Sequence, residues 1–279
     1  MAILELKGVA KSFPRAGRSK SQTGKIEVLR DINLSIRENE FVCIVGRSGS
    51  GKTTLISLIA GLIEADAGAI LLEEQPIAGP GPDRGVIFQN YSLLPWLNVF
   101  DNVYLAVDAV ARDLTDQEKR QRTKYYLELV NLGPAMSKVP RELSGGMRQR
   151  VAVARGLAMD PKVLLLDEPF SALDALTRGT LQEELARIWM ETRKTVVMIT
   201  NDIDEAILLA DTIYTLTSGP GATLGPAVVV EAPHPRSRMQ LSDQIGYHQA
   251  RRDTLRMLTG GTRAAKRTDP ATGAENLLH

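Results

Sequence analysis

Apolar residues along the chain fall into two patterns. Almost unbroken apolar runs occupy residues 41–45 (Phe41-Val42-Cys43-Ile44-Val45), 163–166 (Val163-Leu164-Leu165-Leu166) and 195–200 (Thr195-Val196-Val197-Met198-Ile199-Thr200). Runs of this length fit strands buried on both faces of a sheet. Nearer the start, Ile3, Leu4, Leu6 and Val9 read as one β segment and residues 27–36 as a second. The stretch between them, residues 14–25, is rich in Gly, Ser, Lys and Arg and reads as a solvated hairpin loop. Helical spacing predicts helices over about residues 52–63, 97–107, 116–130, 145–158, 173–189 and 202–210. Apolar strands alternating with helices indicate an α/β fold on a mainly parallel sheet. Residues 90–160 are helical only, which predicts an inserted helical subdomain. Residues 236–261 read as a C-terminal helical extension. Residues 262–279 are mostly polar or small, with Pro270 and Gly273, and read as a disordered tail.

Composition narrows the function. The chain has 279 residues, 43% hydrophobic and 24% charged, enough for one large domain or two small ones. Lys and Arg number 34 against 33 Asp and Glu. That balance argues against coating nucleic acid or anionic membrane by bulk charge, so no nucleic-acid partner is expected. A single cysteine, Cys43, excludes an internal disulfide framework and a multi-cysteine metal site. The three histidines, His234, His248 and His279, all follow residue 233, so no earlier residue can use an imidazole as acid, base or ligand. The start, Met1-Ala2-Ile3-Leu4-Glu5, has no apolar signal core. The longest apolar stretch, residues 55–63, is interrupted by Ser57 and Gly61 and falls far short of the roughly 20 residues a bilayer requires. A cytosolic chain is expected, with any membrane part supplied by another subunit. Residues 251–267 carry six basic and one acidic side chain and read as a solvated helix end.

Three segments carry chemistry. Gly46-Arg47-Ser48-Gly49-Ser50-Gly51-Lys52-Thr53 fits G-x-x-x-x-G-K-[ST], after a buried strand and at the start of a helix. Glycines let the backbone turn so that its N–H groups face phosphate oxygens, and the helix start adds partial positive charge. Lys52 then reaches the β- and γ-phosphates and Thr53 offers a hydroxyl to Mg²⁺. Asp167 ends a buried run, where an α/β sheet places ligands, and can hold the metal shell. Glu168 follows it directly and can polarise a water as general base. In Leu143-Ser144-Gly145-Gly146-Met147-Arg148-Gln149, Ser144 stands where an N-cap belongs and two glycines bare the next N–H groups. That makes a second anion-binding helix start.

On these motifs the chain resembles the ATP-binding subunits of ABC transporters over about residues 1–235. The resemblance implies an ABC-type P-loop nucleotide-binding domain with an antiparallel β subdomain and an inserted helical subdomain. It implies ATP and Mg²⁺ as cofactors. Phe13 resembles the aromatic that stacks on adenine, and Gly46, Arg47, Ser48, Gly49, Ser50, Gly51, Lys52, Thr53 and Thr54 the Walker A loop and the start of its helix. Gln89 resembles the Q-loop glutamine, a metal ligand with Thr53 and Asp167. Asp167 resembles the Walker B aspartate and Glu168 the catalytic glutamate. Ser144, Gly145, Gly146 and Gln149 belong to the signature, and Ser171, Ala172, Leu173 and Asp174 resemble the D-loop. In this family two such domains pair head to tail, each ATP lying between one Walker A loop and the other signature; two anion sites in one chain suit that arrangement.

The resemblance departs at position 201. The family usually has a histidine there, contacting the γ-phosphate, where this chain has Asn201. An asparagine amide can still donate a hydrogen bond, but with less charge stabilisation than a charged donor. Asn201 is therefore either a working substitute beside Lys52 and Glu168, or the mark of a regulatory subunit that binds ATP, hydrolyses it weakly and pairs with a different ATPase.

Without spanning segments, a long coiled coil or a second nucleotide domain, the expected role is the detached motor of a bacterial importer. Its partners would be a second ATPase protomer (in a homodimer or heterodimer), integral membrane permease subunits and, indirectly, a periplasmic or lipid-anchored binding protein. It would work on the cytoplasmic face of the membrane. Residues 79–89 and 93–99 resemble the nitrate/sulfonate/bicarbonate importer group. Asn201 with Asp202, and residues 219–226, point to the nitrate/bicarbonate/cyanate branch; a motor for sulfonate or taurine uptake is the alternative. Leu93, Leu94, Trp96, Leu97 and Val99 form an apolar cluster that either receives a helix of the membrane subunit or packs the helical subdomain.

Overall fold

The computed structural model describes residues 2–15, 24–241 and 243–264. Two long strands, β1 (Ala2–Pro14) and β2 (Lys25–Arg37), open the chain and pair antiparallel. Both are longer than their apolar positions predict. Of the expected hairpin loop, residues 16–23 lie outside the described residues. Strand β3 (Phe41–Gly46) follows, buried along its whole length. Helix α1 (Lys52–Ile59) stops before the expected residue 63 because the chain turns at Gly61, with φ +72°. A Cβ at Gly61 would sit 2.3 Å from the Gly79 carbonyl oxygen, so no larger residue fits. Strands β4 (Ala67–Leu72) and β5 (Gln75–Pro76) complete a four-stranded antiparallel sheet in the order β2-β1-β4-β5.

Strand β6 (Arg84–Ile87) returns the chain to β3's sheet. A helical stretch then intervenes: α2 (Val99–Val110), α3 (Asp116–Leu129) and α4 (Gly145–Ala158), which pack on one another. Side-chain caps fix their starts. Asn98 accepts from Asp101 N at 2.7 Å, and Thr115 forms a capping box with Glu118. Strand β7 (Val163–Asp167), helix α5 (Ala175–Thr192), strand β8 (Thr195–Thr200), helix α6 (Ile203–Leu209) and strands β9 (Thr212–Leu216) and β10 (Val228–Val229) follow. The second sheet runs β10-β9-β3-β8-β7-β6, parallel except for β10.

Alternate residues of the central strands feed two cores. Phe41, Cys43, Val45, Leu164, Leu166, Val196 and Met198 face the helices α2 to α6. Val42, Ile44, Val163, Leu165, Val197 and Ile199 face α1 and the antiparallel sheet. This two-sided burial is why the strands read as unbroken apolar runs. Beyond the sheet lie α7 (Arg238–Leu241) and α8 (Ile245–Ala264), the latter packed on α6, β9 and β10. Residues 262–264, expected to be disordered, continue α8; residues 265–279 lie outside the described residues. Among the described residues no helix is long and apolar enough to cross a membrane.

Candidate active site

The parallel strands bring residues 46–53, Gln89, Asp167, Glu168 and Asn201 to one edge of the sheet. At the end of β3 the chain turns through Arg47, Ser48 and Gly49, all exposed, and Ser50, which is buried. Gly51 adopts φ +97° and lies against Val28 and Leu29 of β2. Only a glycine takes this left-handed turn and this close approach together. Lys52 is 4% exposed; its Nζ donates to Gly46 O at 3.0 Å and Arg47 O at 3.1 Å, and pairs with Glu168 Oε1 at 3.1 Å. The ammonium is thus held inside the loop it serves. Ser50 Oγ is buried without a hydrogen-bond partner, a donor available to a ligand in that loop. Thr54 is half-buried on the first turn of α1.

Thr53 Oγ1 donates to Asp167 Oδ1 at 3.2 Å, across 114 residues of sequence. Burial pushes the Asp167 carboxyl up; the Thr53 hydroxyl draws it down, Glu168 adds to the rise and Lys52 opposes it. A hydroxyl and a carboxylate this close are hard oxygen donors that suit one Mg²⁺, which typically takes one or two protein ligands and completes its shell with water and phosphate oxygens. Glu168 takes a left-handed backbone, φ +44°, and its N–H donates to Ile199 O of β8 at 3.1 Å. Strain at such a residue persists only where the surroundings impose it.

Asn201 and Gln89 flank this pair on the neighbouring strands. Ile199 is opposite Asp167, so Asn201 leaves β8 at the same sheet edge and is exposed. Gln89 leaves β6, which pairs with β7 on the other side. Gln89, Asp167 and Ala172 line one cleft of about 720 Å³, with Tyr91 and Arg148. Sequence reading gave Tyr91 no role and named Arg148 only as a member of the segment 143–149, not as a cleft residue. Arg148 lies over the Tyr91 ring at 5.9 Å, and Arg155 donates to Tyr91 O at 2.8 Å and Ser92 O at 2.6 Å. The signal available was the basic spacing of α4, which motif matching overlooks.

The signature opens α4 as expected of a capped helix. Ser144 Oγ accepts from Met147 N at 3.2 Å and is exposed. Gly145 and Gly146 lie against the start of α5: added Cβ atoms would meet Leu173 at 3.2 Å and Thr177 at 2.7 Å. Gln149 departs from its group. It is 1% exposed and faces inward toward Phe170 and Leu185, because five residues along a helix turn it away from Ser144. Leu173 is also buried, whereas Ser171 and Ala172 are exposed. Asp174 caps α5, accepting from Thr177 N at 3.0 Å, and that bond holds its carboxyl below the usual range.

Phe13 is half-exposed at the end of β1, opposite Ile26, with Lys11 Nζ 5.5 Å from its ring centre. Beside it a cleft of about 520 Å³ runs from Ile26 and Val28 to Gly49 and Pro220. Residues 219–226 close that side, with Gly221 N donating to Glu27 O at 2.7 Å and Ala222 N to Val28 O at 3.0 Å. The apolar cluster after Gln89 divides: Val99 is buried and Leu93 packs on the core, while Trp96 is 73% exposed.

A profile described as ABC transporter matches residues 29–171. The bicarbonate transport ATP-binding protein CmpC of Synechococcus elongatus is 49% identical over 95% of this chain, which spans 39% of that protein's length. The nitrate import ATP-binding protein NrtD of Synechococcus elongatus is 48% identical, over 90% of this chain and 89% of its own. The nitrate transport protein NasD of Klebsiella oxytoca is 47% identical, over 92% of this chain and 96% of its own. Among solved structures, a dimeric post-hydrolysis state of an ATP-binding cassette bound to ADP and Pi aligns with a TM-score of 0.70 and 31% identity. It covers 82% of this chain and 100% of that one.

Proposed function

The chain belongs to the ABC transporter family, and we propose that it is the ATP-hydrolysing motor of an importer for nitrate or a related small anion. The convergence of Lys52, Thr53, Asp167 and Glu168 at one sheet edge carries the hydrolytic reading. Lys52 and the N–H groups of the loop bind the phosphates. Thr53 and Asp167 would hold Mg²⁺, with Gln89 on the facing wall of the cleft. The metal, when bound, neutralises charge on the β- and γ-phosphates. Glu168 accepts a proton from water as it attacks. Asn201 donates a hydrogen bond toward the γ-phosphate from the neighbouring strand. Phe13 faces the base.

Ser144 and the bare N–H groups of Gly145 and Gly146 complete the nucleotide site of a second protomer. Gln89 and Tyr91 line the cleft, and Trp96, five residues after Tyr91, is exposed; a permease helix would dock there. The assembly therefore sits on the cytoplasmic face of the membrane. The nitrate and bicarbonate relatives support the cargo class.

Two measurements test the reading. Glu168→Gln lowers hydrolysis by about 10²- to 10⁴-fold while nucleotide binding persists; undiminished turnover would exclude Glu168 as base. Deleting the gene and following labelled nitrate, bicarbonate and taurine uptake tests the cargo. Loss of taurine uptake alone would overturn the assignment to the nitrate-type branch.

A further inference from the structure

Helix α6 has seven residues and begins two residues after Asn201. So short a helix has little stability of its own, and its position depends on what grips it. The C-terminal segment grips it directly at two places and through Gln182 of α5 at a third. At its start, Asp204 Oδ1 accepts from Tyr247 Oη at 2.8 Å and Arg251 Nε at 2.9 Å, both from α8. In its middle, the buried Glu205 accepts from Gln182 Nε2 at 2.8 Å, and Gln182 Oε1 in turn accepts from Arg238 Nη1 at 3.3 Å. At its end, the buried Arg236 donates to Ile207 O at 2.7 Å, Ala210 O at 2.6 Å and Ala232 O at 2.8 Å.

The link from α6 back to Asn201 has no slack. Asp202 Oδ1 caps the helix by accepting from Asp204 N at 2.9 Å and Glu205 N at 3.1 Å. Asp202 N donates to Thr200 Oγ1 at 3.0 Å, and that hydroxyl also binds Glu205. A displacement of α6 therefore carries Asn201 with it. The Asp204 contacts are half-exposed, and exposed pairs add little to global stability. Their consequence is geometric.

We propose that Arg236, Arg238, Tyr247 and Arg251 form a brace that positions Asn201 for hydrolysis, with Tyr247 and Arg251 as positioning residues acting through Asp204. This rests on the reading of Asn201 as a donor to the nucleotide. A small misplacement of a positioned group is enough to slow chemistry substantially.

The test compares steady-state ATP hydrolysis by the full chain carrying Tyr247→Phe with Arg251→Gln, Asn201→Ala alone, and all three changes. The paired change lowers kcat about threefold to tenfold and leaves KM for ATP within roughly twofold. Added to Asn201→Ala, it has no further effect, because the group it positions is gone. Effects that multiply would overturn the brace while leaving Asn201 at the nucleotide. Unchanged kcat for Asn201→Ala overturns the underlying assignment and the brace with it. A second measurement is independent of activity. In the paired variant, amide hydrogen exchange over residues 201–206 accelerates, and in a control with the exposed Arg252→Gln it does not. Exchange equal in the two variants would refute the brace.

Discussion

A neutral amide at position 201 can donate a hydrogen bond to a phosphate oxygen but brings no charge. A protonated imidazole there would add charge stabilisation as the γ-phosphoryl group leaves. Asn201→His is therefore expected to keep or raise ATP turnover, measured as phosphate release at saturating Mg-ATP. A loss of tenfold or more, on the order of 1.4 kcal/mol, would show that asparagine is specifically required. It would favour the reading of Asn201 as a working substitute. At this scale the sequence was most legible where chemistry is local. Residues 46–53 are contiguous, so their motif carries its own geometry. Gln149 and Leu173 were not legible in the same way. Each belongs to a motif, but burial depends on the helix or turn that presents it, and both point into the core.

Among the elements, the segment after Gln89 shows how little of a loop's rigidity appears in its residue types. Asn102 of α2 is 2% exposed and accepts from Leu94 N at 2.8 Å. It donates to Leu94 O, Leu97 O and Asn98 O at 3.1, 3.1 and 2.9 Å. Asn102→Ala removes the partner of Leu94 N and Leu97 O and is expected to cost about 1–3 kcal/mol in urea unfolding. Trp96→Ala, at an exposed site, is expected to change stability by less than about 0.5 kcal/mol yet to reduce coupled uptake. Unchanged uptake would remove Trp96 from the permease contact. The strands β3, β7 and β8 were legible because both faces are buried. Strands β4, β6 and β9 were not: β4 is apolar only in its second half, β6 begins with the buried Arg84, and β9 mixes Thr and Tyr with its aliphatics. Their pairing comes from neighbours distant in sequence.

For the whole molecule, the two glycine-led helix starts face different surroundings: α1 lies against β7 and Glu168, α4 against the segment that opens α5. A head-to-tail pair of chains would complete two nucleotide sites from four halves. Mixing a Lys52→Ala chain with a Ser144→Arg chain, each inactive alone, then restores roughly a quarter of the parent hydrolysis, because randomly mixed pairs keep one intact site. No recovery would place a different chain opposite this one. The helices α2, α3 and α4 were legible from the clustering of helical patterns between residues 90 and 160. The grip of α8 on α6 was not, since nothing in a basic helix announces which carboxylate it will meet.

The Lys52–Glu168 ion pair has a consequence for timing. One ammonium holds the carboxylate that would take the proton, so while they are joined neither is available for chemistry. A polyphosphate entering the loop would compete for that ammonium and loosen its hold on the carboxylate.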